Sequence, residues 1–244
     1  MISSLWHSIV YQPLFNVLIL LINILPGNSV GTAIILLTVL VRIALLPLTG
    51  KSIKVQKAMK VLEPKLKHIR DKHKDDKQLQ ARKTMELYQE HGVTPFSGCL
   101  PLLIQIPIII GLYWVFLDGL KIVDVSVLYG FVAAPGALDM HFLIFDLAGK
   151  SAFLALCAAV SQYFQATLSL GRQDTPKPAD ASTPTMQEEF AKTMQFQMRY
   201  ILPIMVGVIA YNATAAVALY WATSNILSVA QELWMRRSTT KAAS

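Results

Sequence analysis

The sequence predicts an all-α polytopic membrane protein: five transmembrane helices, N-terminus out and C-terminus in, with an N-terminal interfacial amphipathic helix and a cytoplasmic helical hairpin. Three observations predict it. Of the 244 residues, 54% are hydrophobic and 15% charged, a balance that suits a membrane-embedded chain better than a soluble one. Apolar runs long enough to cross a bilayer recur along the chain. Lysine and arginine gather in alternate connections between those runs, as the positive-inside rule requires.

Taken in order, residues 1–27 contain "LWHSIVYQPLFNVLILLINIL" at 5–25. The length would allow a span, but Tyr11, Gln12, Pro13, Asn16 and Asn23 interrupt it, which favours a helix lying in the outer interface. The first span covers 28–50. A basic helical hairpin follows at 51–95, then the second span at 96–118 and an extracytoplasmic loop at 119–141. Residues 142–170 hold the third span and the segment leading into it. A Pro- and Ser/Thr-rich cytoplasmic loop, 171–197, contains "RQDTPKPADASTPTMQEE" and reads as flexible. The final apolar region is too long for one span and short for two. A break at "YNAT" (211–214) divides it into a shortened span, 198–211, and a normal one, 213–235, before a basic tail, 236–244.

The charges test this division. Twelve of the 22 Lys and Arg lie between Lys51 and Glu90, four between Leu170 and Arg199, and three (Arg236, Arg237, Lys241) in the tail. Five spans place all three segments in the cytoplasm, whereas four would put Arg236 and Arg237 outside. Cys99 and Cys157 fall inside apolar runs and read as core residues with no disulfide framework. Residues 1–28 lack the Lys or Arg of a secretory n-region.

The hairpin carries an apolar ladder at Met59, Leu62, Leu66 and Ile69, and a second through Leu79, Arg82, Met85 and Tyr88 beyond "KDDK" (74–77). Its basic residues Lys51, Lys54, Lys57, Lys60, Lys65, Lys67, Arg70, Arg82 and Lys83 would keep it cytoplasmic and near anionic lipid. They would also suit a docking surface for a nascent chain or a ribosome.

Arg42 stands alone in "IILLTVLVRIALLPL" (34–48). A central arginine costs roughly 2.5–3.5 kcal/mol on insertion scales, and such residues face a bundle interior or a wet cavity. Nine residues before Lys51, it lies roughly 13 Å from that boundary at ~1.5 Å per residue, too deep to snorkel comfortably. Asp146 is the one acid read as intramembrane, near the far end of its span, so Arg42 is expected to be hydrated and unpaired. The plain alternative is a structural ion pair or carbonyl network. Gln105, Ser161, Gln162, Gln165, Trp221, Thr223 and Asn225 are other polar residues within apolar segments. Each alone reads as an interhelical tie, but together with Arg42 they could wet one face of the bundle.

"YQEHGVTPFSGCLPLLIQIPIIIGLYWVF" (88–116) closely resembles the signature of the YidC/Oxa1/Alb3 membrane protein insertases. "YQPLFN" (11–16) looks like that family's N-terminal amphipathic helix, "LTVLVRIALLPLTGKSIKVQKAM" (37–59) like its first span and "LYWATSNILSVAQE" (219–232) like its last. "AAVSQYFQ" (158–165) matches more loosely, "YNATAAVALYW" (211–221) replaces a more aromatic turn, and neither a large extracytoplasmic domain nor a lipobox cysteine is present.

The resemblance implies a groove open to cytoplasm and lipid and closed to the outside, lined by Arg42, Gln105, Gln162, Gln165, Trp221 and Asn225. Hydrophilic tails of nascent membrane proteins would cross in it while their apolar segments move into lipid. It implies no nucleotide, cofactor or metal. Implied partners are nascent membrane proteins, the ribosome, the Sec translocon and anionic lipids, with a monomer sufficient. The implied location is the bacterial plasma membrane, with an organellar inner membrane or thylakoid as the alternative. The short fourth span would thin the bilayer locally.

A small transporter or channel binding an anionic solute at Arg42 is the competing class, but Pro101 and Pro107 have no counterpart pair in another span. An enzyme is disfavoured, because no HExxH motif occurs and His7, His68, His73, His91 and His141 lie outside or at the ends of spans.

Overall fold

The computed structural model describes residues 5–73, 76–92, 100–116, 124–170 and 193–241. It is mostly helical, and the chain divides into two compact units, Met1–Ile43 with Ile110–Ser244, and Ala44–Ile109. Among the described helices three have the length and composition to cross a membrane: His7–Ile24, Val30–Ser52 and Ala152–Leu170. The first of these is the segment expected to lie in the interface, so length and apolarity alone would let it span.

In the first unit, a π-helical turn His7–Tyr11 leads into α1 (Gln12–Ile24). Its Phe15, Leu18, Ile19 and Ile22 are fully buried, at the 3–4 residue spacing of one helix face. Gly27, at φ +73°, takes the left-handed conformation that turns the chain into α2 (Val30–Lys72). The polar residues that interrupt the N-terminal run have a defined use: they bind the irregular segment 124–139. Asn16, buried, donates to Val127 O at 3.0 Å and accepts from Tyr129 N at 2.6 Å. Gln12 donates to Val127 O (3.1 Å), Asn23 to Ala133 O (2.7 Å) and Asn28 to Ala137 O (2.9 Å). Non-helical backbone with no partner strand needs such donors and acceptors wherever water is scarce.

The continuation of this segment caps helices. Val30 N, at the start of α2, donates to Asp139 O (3.0 Å). A two-residue hairpin follows, β1 (His141–Phe142) against β2 (Phe145–Asp146), with Phe142 opposite Phe145. Phe142 lies so close to Gly31 that a Cβ there would meet its ring. Asp146 belongs to this hairpin and is exposed, rather than lying inside a helix near its end. Helix α5 (Ala152–Leu170) starts directly afterwards.

The final apolar region is broken as the sequence predicts. A π-helical turn Gln197–Ile201 and α6 (Leu202–Asn212) end three residues before α7 (Ala215–Lys241). Ala215 N donates to Gly149 O (2.7 Å) and Ala216 N to Leu147 O (3.2 Å). One connecting segment therefore collects the N-termini of α2, α5 and α7, which run parallel. Packing between α5, α6 and α7 uses small residues: Ala158 and Ala215, Ala216 and Ala218 are fully buried, and Gly207 of α6 lies against Ala159. Small side chains let helix backbones approach where lipid offers no hydrophobic drive. Helix α7 continues to Lys241, six residues beyond the expected end of its span.

In the second unit, α2 continues and α3 (Lys77–Glu90) packs on it through a core of Leu62, Leu66 and Leu87, flanked by Val55, Ala58, Met59, Ile69 and Tyr88. The first ladder is as the spacing predicts. The second holds at its ends and not in its middle: Leu79 is partly buried and Tyr88 packs on this core, while Arg82 and Met85 are exposed and Gln80 and Leu87 are the buried residues of α3. Arg82 turns outward because a guanidinium has no acid to meet inside this small core. Asp76 caps α3, its Oδ1 accepting from Leu79 N at 2.9 Å. Helix α4 (Leu100–Trp114) begins in this unit and ends in the first, where Gly111 meets Val10 and Leu14 of the N-terminal segment. "KDDK" in part, Cys99, the ends of the second span, the loop "RQDTPKPADASTPTMQEE" and residues 242–244 lie outside the described residues.

Replacing Asn16 by Ala would orphan Tyr129 N and leave Val127 O with the Gln12 amide alone. We expect thermal or denaturant unfolding of the purified protein to show a loss of about 1–3 kcal/mol, the cost of leaving a buried polar partner unmet. The exposed Asn212→Ala change should cost less than half of that.

Candidate functional site

The deep cation is positioned by a hydrogen bond from α2 to α7. Arg42 is half-buried, and its Nη2 donates to Ser224 Oγ at 2.6 Å. Ser224 is itself buried, and its carbonyl accepts from Ser228 Oγ (2.8 Å) one turn on. A hydroxyl orients a guanidinium without neutralising it. The sequence reading predicts an unpaired Arg42, whereas the Ser224 hydroxyl holds it.

The other face of α7 meets α5 through a polar seam. Asn225 Nδ2 donates to Ser161 Oγ (3.2 Å), and Ser161 Oγ donates to Ala158 O (3.0 Å). Gln162 Nε2 lies 3.4 Å from Gln165 Oε1, Gln165 Nε2 donates to Ser169 Oγ (3.2 Å), and Ser169 Oγ donates to Glu232 Oε2 (2.7 Å). The steps within α5 follow the i, i+3 or i, i+4 rise of a helix face, and Asn225–Ser161 and Ser169–Glu232 cross between the two helices. Glu232 is buried, only 6% exposed. It is an acid inside α7 that the sequence reading passed over in favour of Asp146. The fourfold spacing of Ser224, Ser228 and Glu232 within "SNILSVAQE" was the available signal.

Of the six residues expected to line one groove, Asn225 therefore ties α7 to α5, Gln162 and Gln165 form a chain along α5 that reaches Glu232 of α7 through Ser169, and Arg42 meets α7 one residue away from Asn225. Trp221, one turn earlier on α7, is half-buried. Gln105 is half-buried and belongs to the other compact unit.

Outside the seam, the same two helices form an apolar groove of about 490 Å³, lined by Leu156, Cys157, Val160, Phe164, Ile226 and Val229, with Ser161 at its base. Cys157 is a half-buried free thiol on this groove rather than a core residue. Phe164 and Ile226 are about three-fifths exposed, at 59% and 61%. Ser161 thus belongs to both surfaces, polar on one side and apolar on the other.

On the hairpin, Lys51, Lys65, Lys67, Arg82 and Lys83 are exposed. The side chains of Lys54, Lys57, Lys60 and Arg70 lie outside the described residues. Glu86 accepts from Lys83 (2.6 Å) and Arg82 (3.2 Å), and the Lys83 hydrogen bond above all holds its carboxyl below the ordinary glutamate range. Lys65 Nζ and His91 Nε2 stand 3.2 Å apart.

The sequence model of the family described as "60Kd inner membrane protein" matches residues 21–242. The chain belongs to that family. It is 34% identical over 240 residues to a protein of Laribacter hongkongensis named "Membrane protein insertase YidC", covering 98% of this chain and 38% of that one. A protein of the same name from Nitratidesulfovibrio vulgaris is 34% identical over 232 residues, covering 95% and 39%. One from Francisella tularensis subsp. novicida is 37% identical over 213 residues, covering 86% and 33%. The chain thus spans between a third and two fifths of the length of these relatives. Family membership and the three apolar helices of spanning length make it a bacterial inner-membrane protein.

Two outcomes follow. A double-mutant cycle of Ser169→Ala with Glu232→Gln should return a coupling energy of about 0.5–3 kcal/mol in unfolding, as for residues in one hydrogen-bond network. On the hairpin, the lowered Glu86 pKa means that its pairing stabilises α3 fully above the unfolded glutamate value of ~4.3 and is lost as pH falls through the lower folded value. The Glu86 carboxyl carbon, followed by NMR, should titrate with a midpoint below that of an exposed unpaired glutamate, and Lys83→Ala should raise it.

Proposed function

We propose that the chain is a non-enzymatic membrane protein insertase that moves hydrophilic tails of nascent membrane proteins past Arg42 and releases their apolar segments into lipid. The observation that carries this reading is the Arg42 guanidinium, deep in an apolar helix and held by a serine hydroxyl instead of a carboxylate. An acidic tail entering beside it gains a charge-assisted partner in a low-dielectric setting, which offsets part of its desolvation. On the other side of α7, the groove beside Ser161 gives an apolar segment a lateral place to leave. Burial in lipid supplies the driving free energy, so no nucleotide is needed. The relatives named above are insertases, and a solute-transporter reading gains nothing from them.

The topology is five spans, N-out and C-in. Supporting it, α2, α5 and α7 start at one shared segment and α6 ends beside it, and in the sequence Lys and Arg gather beyond residue 50, after residue 170 and after residue 235, each time following an apolar run that starts at that segment. Helix α1 lies in the outer interface: Val10 and Leu14 touch Gly111 near the end of α4, and Asn16, Asn23 and Asn28 touch 127–137, so its whole length is engaged at one end of the bundle. The short fourth span thins the bilayer at the groove. The exposed lysines and arginines of the hairpin meet anionic lipid and the ribosome, the Sec translocon is a further partner, and one protomer suffices.

Insertion of a single-span substrate with an acidic tail, measured in proteoliposomes with folded protein levels matched, tests the charge. Arg42→Ala should slow it about tenfold or more, corresponding to ~1.5–3 kcal/mol for a lost charge-assisted hydrogen bond. Arg42→Lys should retain most of the rate, and a neutral-tail substrate should be little affected by either change. Equal rates in all three proteins would remove Arg42 from the mechanism.

A further inference from the structure

The hairpin between α2 and α5 is built against the usual rules for an aqueous turn. Its two central residues are Leu143 and Ile144, at positions where a two-residue turn ordinarily has Gly, Asn or Asp. Leu143 holds φ +56°, a left-handed conformation that a branched apolar side chain seldom takes. Both side chains are outside: Ile144 is 88% and Leu143 84% exposed, the highest of the large apolar side chains among the described residues. Strain and apolar exposure therefore coincide on one tip.

The surroundings indicate what covers it. Phe145 stacks on Phe153 of α5, ring centroids 5.5 Å apart and nearly parallel. Phe153 opens a line of exposed apolar residues, Phe153, Leu156, Val160 and Phe164, on a helix of spanning length. That face has lipid as its surroundings in a membrane, and the hairpin continues it beyond the helix end. Nearby, Lys150 sits over the Tyr211 ring at 5.9 Å, a cation and an aromatic of the kind that mark the headgroup level.

We propose that the Leu143–Ile144 tip is a lipid anchor: it inserts into the phospholipid leaflet at the end of the bundle where α2, α5 and α7 begin, and holds the capping segment against those helices. The inference rests on reading α5 as a membrane span. Lipid supplies the apolar partner that the tip lacks among the described residues. The leaflet also explains why the left-handed position is spent on Leu rather than on Gly: Gly would relieve the backbone and lose the anchor.

The test is a photoreactive benzoylphenylalanine placed at Ile144, at Ser126 of the same connecting segment, and at Leu156 on the lipid face of α5, each in the full chain in phosphatidylethanolamine/phosphatidylglycerol vesicles. Adducts are identified by mass spectrometry after illumination. We expect phospholipid adducts at Ile144 and Leu156 and their loss at Ser126. Lipid adducts at Leu156 but not at Ile144 would overturn the anchor alone, as would cross-linking of Ile144 to a second copy or to substrate. Their absence at both positions would overturn the spanning reading of α5. A Leu143→Asn/Ile144→Gly variant keeps a favourable turn and separates folding from anchoring. The gain in thermal midpoint on passing from detergent to vesicles should shrink in this variant while the midpoint in detergent is maintained. An unchanged gain would overturn the proposal.

Discussion

Helix N-termini that start together must have their free amide groups met together, and in this chain one stretch of irregular backbone does so. The carbonyls of Asp139, Leu147 and Gly149 accept from the first residues of α2 and α7, and α5 grows out of the same stretch. In water an uncapped terminus is merely hydrated, whereas at the edge of a bilayer the partner has to come from protein. The stretch must in turn be satisfied, and the amides of Gln12, Asn16, Asn23 and Asn28 on the N-terminal segment do that. The N-terminal segment, the connecting segment and three parallel helices are thus one hydrogen-bonded construction, and the placement of Arg42 beside Ser224 depends on its register.

Much of this was legible in the sequence, for physical reasons that differ by element. The division near Asn212 could be read because an apolar run has a length that a bilayer limits. The hairpin face through Leu62 and Leu66 could be read because burial repeats at the helical period. The second face was misplaced in its middle because Leu79, Arg82, Met85 and Tyr88 share the period with Gln80, Thr84 and Leu87, and only the identity of the partner surface selects between them. Asn16 and Asn23 were visible as interruptions but their use was not, since their partners lie more than a hundred residues away.

The polar residues near Arg42 show the same limit. Residue type placed Gln162, Gln165 and Asn225 in apolar helices; it could not say whether they face a cavity or each other. In the structure Asn225 ties α7 to α5 directly, while Gln162 and Gln165 bond along α5 and reach α7 only through Ser169 and Glu232. A tie of this kind is compatible with a wet groove on an adjacent face of α7, because Ser224 and Asn225 are neighbours about 100° apart around one helix. The helix separates a charged side from an apolar one, and the seam keeps it from rotating.

The shared direction of α2, α5 and α7 has an electrostatic side. Antiparallel neighbours cancel their macrodipoles, but parallel ones add, each equivalent to roughly half an elementary charge at its ends. Three positive ends meet at the capping segment, and the opposing helix α6 beside them removes part of the sum, as α4 does in a five-span topology. The backbone field therefore lowers the energy of a negative charge as it nears that segment and raises that of a positive one, so the three N-termini distinguish the two signs by themselves.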